Sequence, residues 1–301
     1  MTTISEQSPA ASNTVTTPTR KRGQGLGRVR WWRVVVLGVL AVYFLVPLAS
    51  TFWFTVYTPG THKFSLSPYG QMFSAQGFGT SVRMTVEVAL LTIVILYALL
   101  VPAMIAVQLR LPKLKPVLES LAMVPLVLSP VALVVGVQTV LGWGLNANPG
   151  TPMFQLAADL QNQSFPLILP IVYVVIALPF AYRSLDAQLR TVDLKTLVEA
   201  SRGLGASWPV TIWRAVLPNL RSGLLSGSIL TLALVFGEYT ISSILQFLPF
   251  SVWIVQDGQG ATSGQLAPAV SLLSLLLTWA VLFLVSFLGG RRAVGRPDRS
   301  S

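Results

Sequence analysis

Six apolar runs succeed one another along the chain, centred on Trp32–Tyr57, Val82–Val107, Val117–Leu141, Phe165–Tyr182, Gly223–Leu245 and Ala267–Leu288. Each is close to the roughly 20 residues that a helix needs to cross a hydrocarbon core about 30 Å thick. Their even spacing predicts one bundle of six transmembrane helices over residues 31–290, an all-α membrane protein. A long polar island, about residues 184–221, separates the fourth run from the fifth. Inside it Leu194, Leu197, Val198, Ser201 and Leu204 recur at helical spacing behind Asp193, a residue type suited to capping a helix start. Gly205 is able to take the left-handed conformation that ends a helix, which puts a corner at Gly203–Gly205. A second amphipathic piece runs from Trp208-Pro209 through Ile212, Trp213 and Val216, and Pro218 is expected to open the fifth span.

Composition supports lipid as the solvent. Hydrophobic residues make up 53% of the chain and charged residues only 10%, whereas about a quarter of an ordinary soluble domain is charged. The net charge of +11 is read as topology, with no nucleic-acid partner, because its basic residues fall unevenly between loops. With both termini cytoplasmic, nineteen of the twenty-one Lys and Arg residues lie inside, leaving Lys63 and Arg83 outside. The Ser- and Thr-rich residues 1–30 lack the apolar content to bury a core and read as a disordered basic tail; residues 291–301 form a second basic tail. The first apolar run is too long for a cleaved signal peptide and no small-residue cleavage site ends it. Some cytoplasmic arginines are placed to meet anionic headgroups of membrane lipid. With no cysteine, thiol chemistry and Cys-ligated metals are excluded.

The polar island has an ordered text. Glu199-Ala200-Ser201, then Gly205 six positions after the glutamate and Leu217-Pro218 beyond it, resembles the EAA loop of permease subunits of ATP-binding-cassette (ABC) importers, with Ser201 where alanine is usual. From about Ser81 to Gly289 the chain is similar to the inner-membrane component of binding-protein-dependent transport systems, whose fold is called MetI-like. Val124-Pro125-Leu126-Val127-Leu128-Ser129-Pro130 and Ala177-Leu178-Pro179-Phe180 share in that likeness. Within the family the loop looks most like permeases for polyamines, opines, phosphonates, thiamine and ferric iron. The resemblance implies a bacterial inner-membrane subunit that binds no cofactor and has no catalytic residue. Its partners would be a cytoplasmic ABC ATPase dimer carrying ATP and Mg2+, a second permease, identical or homologous, and an extracytoplasmic substrate-binding protein. It places Glu199, Ala200, Ser201, Gly203, Leu204 and Gly205 at the joint with the ATPase. The chain's own text agrees on one point: it has no Gly-rich loop ending in Lys-Ser or Lys-Thr to cradle a nucleotide.

Polar residues inside spans are costly in lipid and mark candidate pathways. Glu238, with Ser242 about one turn on, is the leading one, either as a counter-charge to a passing cation or paired with a basic side chain or a helix end. The cationic option, together with the resemblance, leads to an expected substrate such as spermidine or putrescine, with phosphonate, thiamine and ferric iron as alternatives. Glu87 and Arg83 have the spacing of an i, i+4 ion pair. Gly136, Gly142 and Gly144 are expected to permit close helix approach, and Pro102, Pro125, Pro130 and Pro179 to kink spans. His62, alone in an outer loop, offers no metal site. An autonomous secondary transporter or channel is the competing class, but it would usually carry paired intramembrane carboxylates, and only Glu238 is central.

Overall fold

The computed structural model describes residues 31–58, 63–259 and 264–290; both expected tails and His62 lie outside them. The chain divides into two compact units at Pro47. Residues 31–47, in the first unit, are a wholly exposed apolar stretch of helix α1 (Trp31–Val56). The rest of the described chain belongs to the second unit. There a two-residue hairpin (β1 Tyr57–Thr58, β2 Lys63–Phe64) and a short helix, α2 (Ser67–Gln71), lead to α3 (Phe78–Leu109). Next come α4 (Lys115–Met123), α5 (Pro130–Leu145), α6 (Pro152–Leu160) and α7 (Ile168–Leu189). They are followed by α8 (Leu194–Gly203), α9 (Trp208–Thr211) and α10 (Leu217–Gly237). The last described elements are α11 (Thr240–Ile244), α12 (Phe250–Gln259) and α13 (Leu266–Gly290).

The molecule is an all-α membrane protein. Among the described residues four helices are long and apolar enough to span: α1, α3, α7 and the continuous stretch Trp208–Gly237. The expected third span is a pair, Pro112–Leu126 and Pro130–Leu145, bent by 97°, and counts as a fifth if taken as one crossing. Its break has a local cause. Pro125 sits in a 3-10 turn, Pro130 opens α5, and Ser129 before it is held extended (φ −65°, ψ 135°), because a residue preceding proline is pushed out of the helical region. The sixth expected span falls on α13, 25 residues long.

The core of the second unit is built where α3, α7 and α10 meet. Toward one end Leu96, Leu100, Met104, Ala181, Leu185 and Leu220 interlock with Leu194 and Val198 of α8; toward the other Val88, Val134, Leu169, Val172, Tyr173 and Val235 pack around Ile241 and Phe247. Helix approach is closest where side chains vanish. A Cβ on Gly223 would meet Gln188 Cβ and the Ser184 carbonyl at 2.9 Å, and one on Gly227 would strike the Tyr97 hydroxyl. Tyr97 donates instead to the Leu224 carbonyl at 2.8 Å. Gly144 likewise lies against α6, where a Cβ would stand 2.5 Å from that of Ala157, while Gly136 and Gly142 have open space. Thr85, Thr92 and Thr231 are fully buried and return their hydroxyls to carbonyls four residues back, so no polar atom there is left unpaired.

Candidate functional site: a polar elbow and a broken helix

The polar island folds as an elbow. Asp193 caps α8, accepting from the Thr196 backbone N–H at 3.2 Å and the Thr196 hydroxyl at 2.7 Å. These donors hold its carboxyl below the usual carboxylate range. At the other end Gly205 takes φ +83°, its N–H bonds the Arg202 carbonyl (2.9 Å), and the Ala206 N–H bonds the Ser201 carbonyl (3.2 Å). This is the paired-bond left-handed helix stop known as a Schellman motif. The expected corner is therefore present, and Gly205 is required by its backbone angle alone, since a Cβ there would meet nothing within 4 Å.

Burial sorts the elbow into two sides. Leu194 and Val198 are buried in the core, anchoring α8 to the bundle. Glu199, Ala200, Gly203, Leu204 and Gly205 are exposed, with Leu204 at 90%; among the described residues the ion-pair partner of Glu199 is Lys195, at 3.9 Å. Ser201 departs from the expected set: it is half-buried and its hydroxyl lies 3.1 Å from that of the buried Thr211. The serine thus ties α8 to α9 inside the elbow.

The expected start of the fifth span at Pro218 is not a break. α9 continues through a π turn, Ile212–Val216, into α10, with the Leu217 N–H bonded to the Ile212 carbonyl five residues back. Pro218 has no N–H to give and its ring crowds the preceding turn, so a local widening lets the helix pass it. The amphipathic piece and the span are one lever of 30 residues. A second tie was not anticipated. Asp186, nearly buried on α7, bonds Arg190 at 2.7 Å and Lys115 at 3.2 Å, joining the end of α7 to α4. The Asp186/Arg190 spacing is legible as an i, i+4 pair; Lys115, far off in sequence, is not.

Glu238 lies in a break and not within a helix. α10 stops at Gly237, and Glu238 is extended (ψ 120°) before α11. Its carboxylate accepts from the Ile241 N–H (2.8 Å), the Ser242 N–H (3.3 Å) and the Tyr173 hydroxyl (2.9 Å). Tyr173 also bonds the Ser242 hydroxyl at 2.5 Å, and Ser251 donates to the Glu238 carbonyl. Glu238 and Ser242 are therefore brought together, as expected, but as a helix start locked to α7. The anticipated pairing with a helix end is thus present, through the Ile241 and Ser242 N–H groups. Arg83 and Glu87 form the expected ion pair at 2.7 Å. Among the described residues no group of His, Cys, Asp or Glu could hold a metal ion.

No family model matches the chain. It is similar to the sulfate transport system permease protein CysW of a Synechocystis species, 29% identical over 206 residues, which cover 68% of this chain and 72% of that one. The molybdenum transport system permease protein ModB of Mycobacterium tuberculosis is 27% identical over 228 residues, covering 73% and 82%. A probable molybdenum ABC transporter permease protein of Haloferax volcanii is 26% identical over 281 residues, covering 89% and 96%. Its relatives are transport permeases. They support the class of ABC importer permeases, and with it a multi-pass, non-catalytic membrane subunit. They do not support the finer expectation of a polyamine-type subfamily, since these relatives are named for sulfate and molybdenum.

Proposed function

We propose that this chain is the membrane-spanning permease subunit of an ABC importer for a tetrahedral oxyanion, sulfate or molybdate. The observation that carries the importer reading is the elbow: a capped helix, a left-handed stop and a rigid lever continuous with a spanning helix, with Glu199, Ala200, Gly203, Leu204 and Gly205 on its exposed side. Small residues let a partner's backbone approach, and Leu204 offers it an apolar knob. In this reading a cytoplasmic ATPase dimer seats on the elbow, and its closure on ATP moves α9 and α10 as one body against α7, switching the pore between two packings. A second permease completes the pore and an extracytoplasmic binding protein delivers the solute. The bundle has six spans with both termini cytoplasmic. The substrate class rests on the relatives' names, and on Glu238 being satisfied within the chain and so not waiting for a cation.

Reconstitution with the ATPase, the second permease and the binding protein tests this. ATP hydrolysis is expected to rise with sulfate or molybdate and not with spermidine. Stimulation by spermidine alone would sink the oxyanion assignment; solute flux without any ATPase would sink the importer reading.

A further inference from the structure

A groove of about 320 Å³ opens beside the elbow. Its floor is Pro102, Ile105, Ala106 and Leu109 on the last turns of α3, its wall is Trp208 and Ile212, and Arg110 stands at its end. The Arg110 guanidinium carbon lies 5.2 Å from the centre of the Trp208 ring, and that of Arg202, from the elbow, lies 5.4 Å from the same centre. Two cations thus share one indole. Among the described residues neither has a carboxylate within ion-pair distance; Arg202 donates only to the Ala206 carbonyl (2.8 Å). Acidic groups near the elbow are already engaged, Glu199 by Lys195 and Asp186 by Lys115 and Arg190.

We infer that this groove binds an anionic phospholipid, its phosphate between Arg110 and Arg202 and an acyl chain along α3 from Leu109 to Pro102. The shape of the chemistry selects the ligand. A free phosphate would use the charged mouth and leave the apolar floor unoccupied, and a zwitterionic lipid would fill the floor but bring its own cation to a mouth that already holds two guanidiniums. Only a molecule with a negative head and a hydrocarbon tail meets both. Guanidinium forks match phosphate oxygens, and an indole at the boundary between lipid and water is suited to cover such a headgroup. Occupancy would bridge the end of α3 to the start of the α9–α10 lever, so lipid charge would tune how firmly the elbow is seated. The inference rests on the proposed placement of the elbow at the cytoplasmic membrane surface.

Native mass spectrometry of the full chain tests it, after exchange into equal amounts of phosphatidylglycerol and phosphatidylcholine. Wild-type protein is expected to retain one phosphatidylglycerol in preference to phosphatidylcholine. Arg110→Gln should lower that preference about fivefold, the effect of one basic residue at an anionic surface, while Arg110→Lys should keep most of it, which separates loss of charge from loss of fold. Ala106→Trp fills the floor and leaves both arginines, and should release the lipid. Equal retention by wild type and Arg110→Gln, or undiminished retention by Ala106→Trp, would overturn the assignment. Binding of millimolar inorganic phosphate with no phosphatidylglycerol retained would show an anion site without a lipid one and would overturn the assignment. Retention is read without transport, so its failure leaves the importer reading intact, and a failed importer reading leaves the lipid count unchanged.

Discussion

At the scale of single residues the two polar sites obey different constraints. Glu238 is held by three donors in a half-buried break, and hydrogen bonds to a charged group contribute about 1.5–3 kcal/mol. Glu238→Gln keeps the shape but turns one acceptor into a donor facing Tyr173 and the Ser242 N–H, so it is expected to lower the melting temperature and slow uptake whatever the charge of the solute. Tyr173→Phe should do the same more weakly. Unchanged thermal stability in Glu238→Gln, with altered selectivity between cations and anions, would return Glu238 to the role of a substrate counter-charge. Gly205 is constrained by its backbone instead. A side chain at φ +83° costs about 1–2 kcal/mol, too little to unfold a bundle but enough to shift the elbow. Gly205→Val should therefore insert normally and lose uptake, with less ATPase recovered on co-purification; wild-type uptake would count against a coupling role for the elbow.

At the scale of elements, what was legible in the sequence is what local chemistry decides. Asp193 and Gly205 mark the ends of α8 because a cap and a left-handed stop are properties of a few consecutive residues. The π turn before Pro218 was not legible, since the same proline could have ended the helix and nothing in the neighbouring residues decides between the two. Tyr173, 65 residues from Glu238, gives no signal along the chain, so this partner of Glu238 was not legible. Gly223 and Gly227 do give one, a pair of glycines four apart inside an apolar run. Both sit where α10 touches α7. Gly227→Leu should cost about 1–3 kcal/mol from overpacking, and Gly136→Leu, facing open space, should cost little; a melting series on the two variants separates them. The cap on α8 also sets a pH response. Because Asp193 has a depressed carboxyl in the folded state, its contribution is fully present above its ordinary value of about 3.9 and is lost as pH falls through the lower folded one. Amide exchange at Thr196, corrected for its intrinsic rate, should stay flat across neutral pH and rise only in acid, and Asp193→Ala should abolish that dependence.

For the whole molecule the decisive asymmetry is where the basic residues fall. Nineteen of twenty-one Lys and Arg residues share one side if the elbow is cytoplasmic, and short basic loops resist translocation. The ion-paired cluster that joins α4 to the end of α7, Lys115 with Asp186 and Arg190, lies at the elbow end of α7, so an inverted chain would have to carry this whole cluster across the membrane. The chain contains no cysteine, which allows single reporters without background. Ser207, exposed at the start of α9 with no side-chain capping bond, and Ser164, exposed before α7, lie at opposite ends of the α7 span. In sealed, correctly oriented cells an impermeant thiol reagent is expected to label Ser164→Cys and to spare Ser207→Cys until the membrane is opened. The reverse pattern would place the elbow outside, beyond reach of any cytoplasmic ATPase. Labelling of both in intact cells would mean that α7 does not cross, and that the apolar run was read as a span on length and composition without being one.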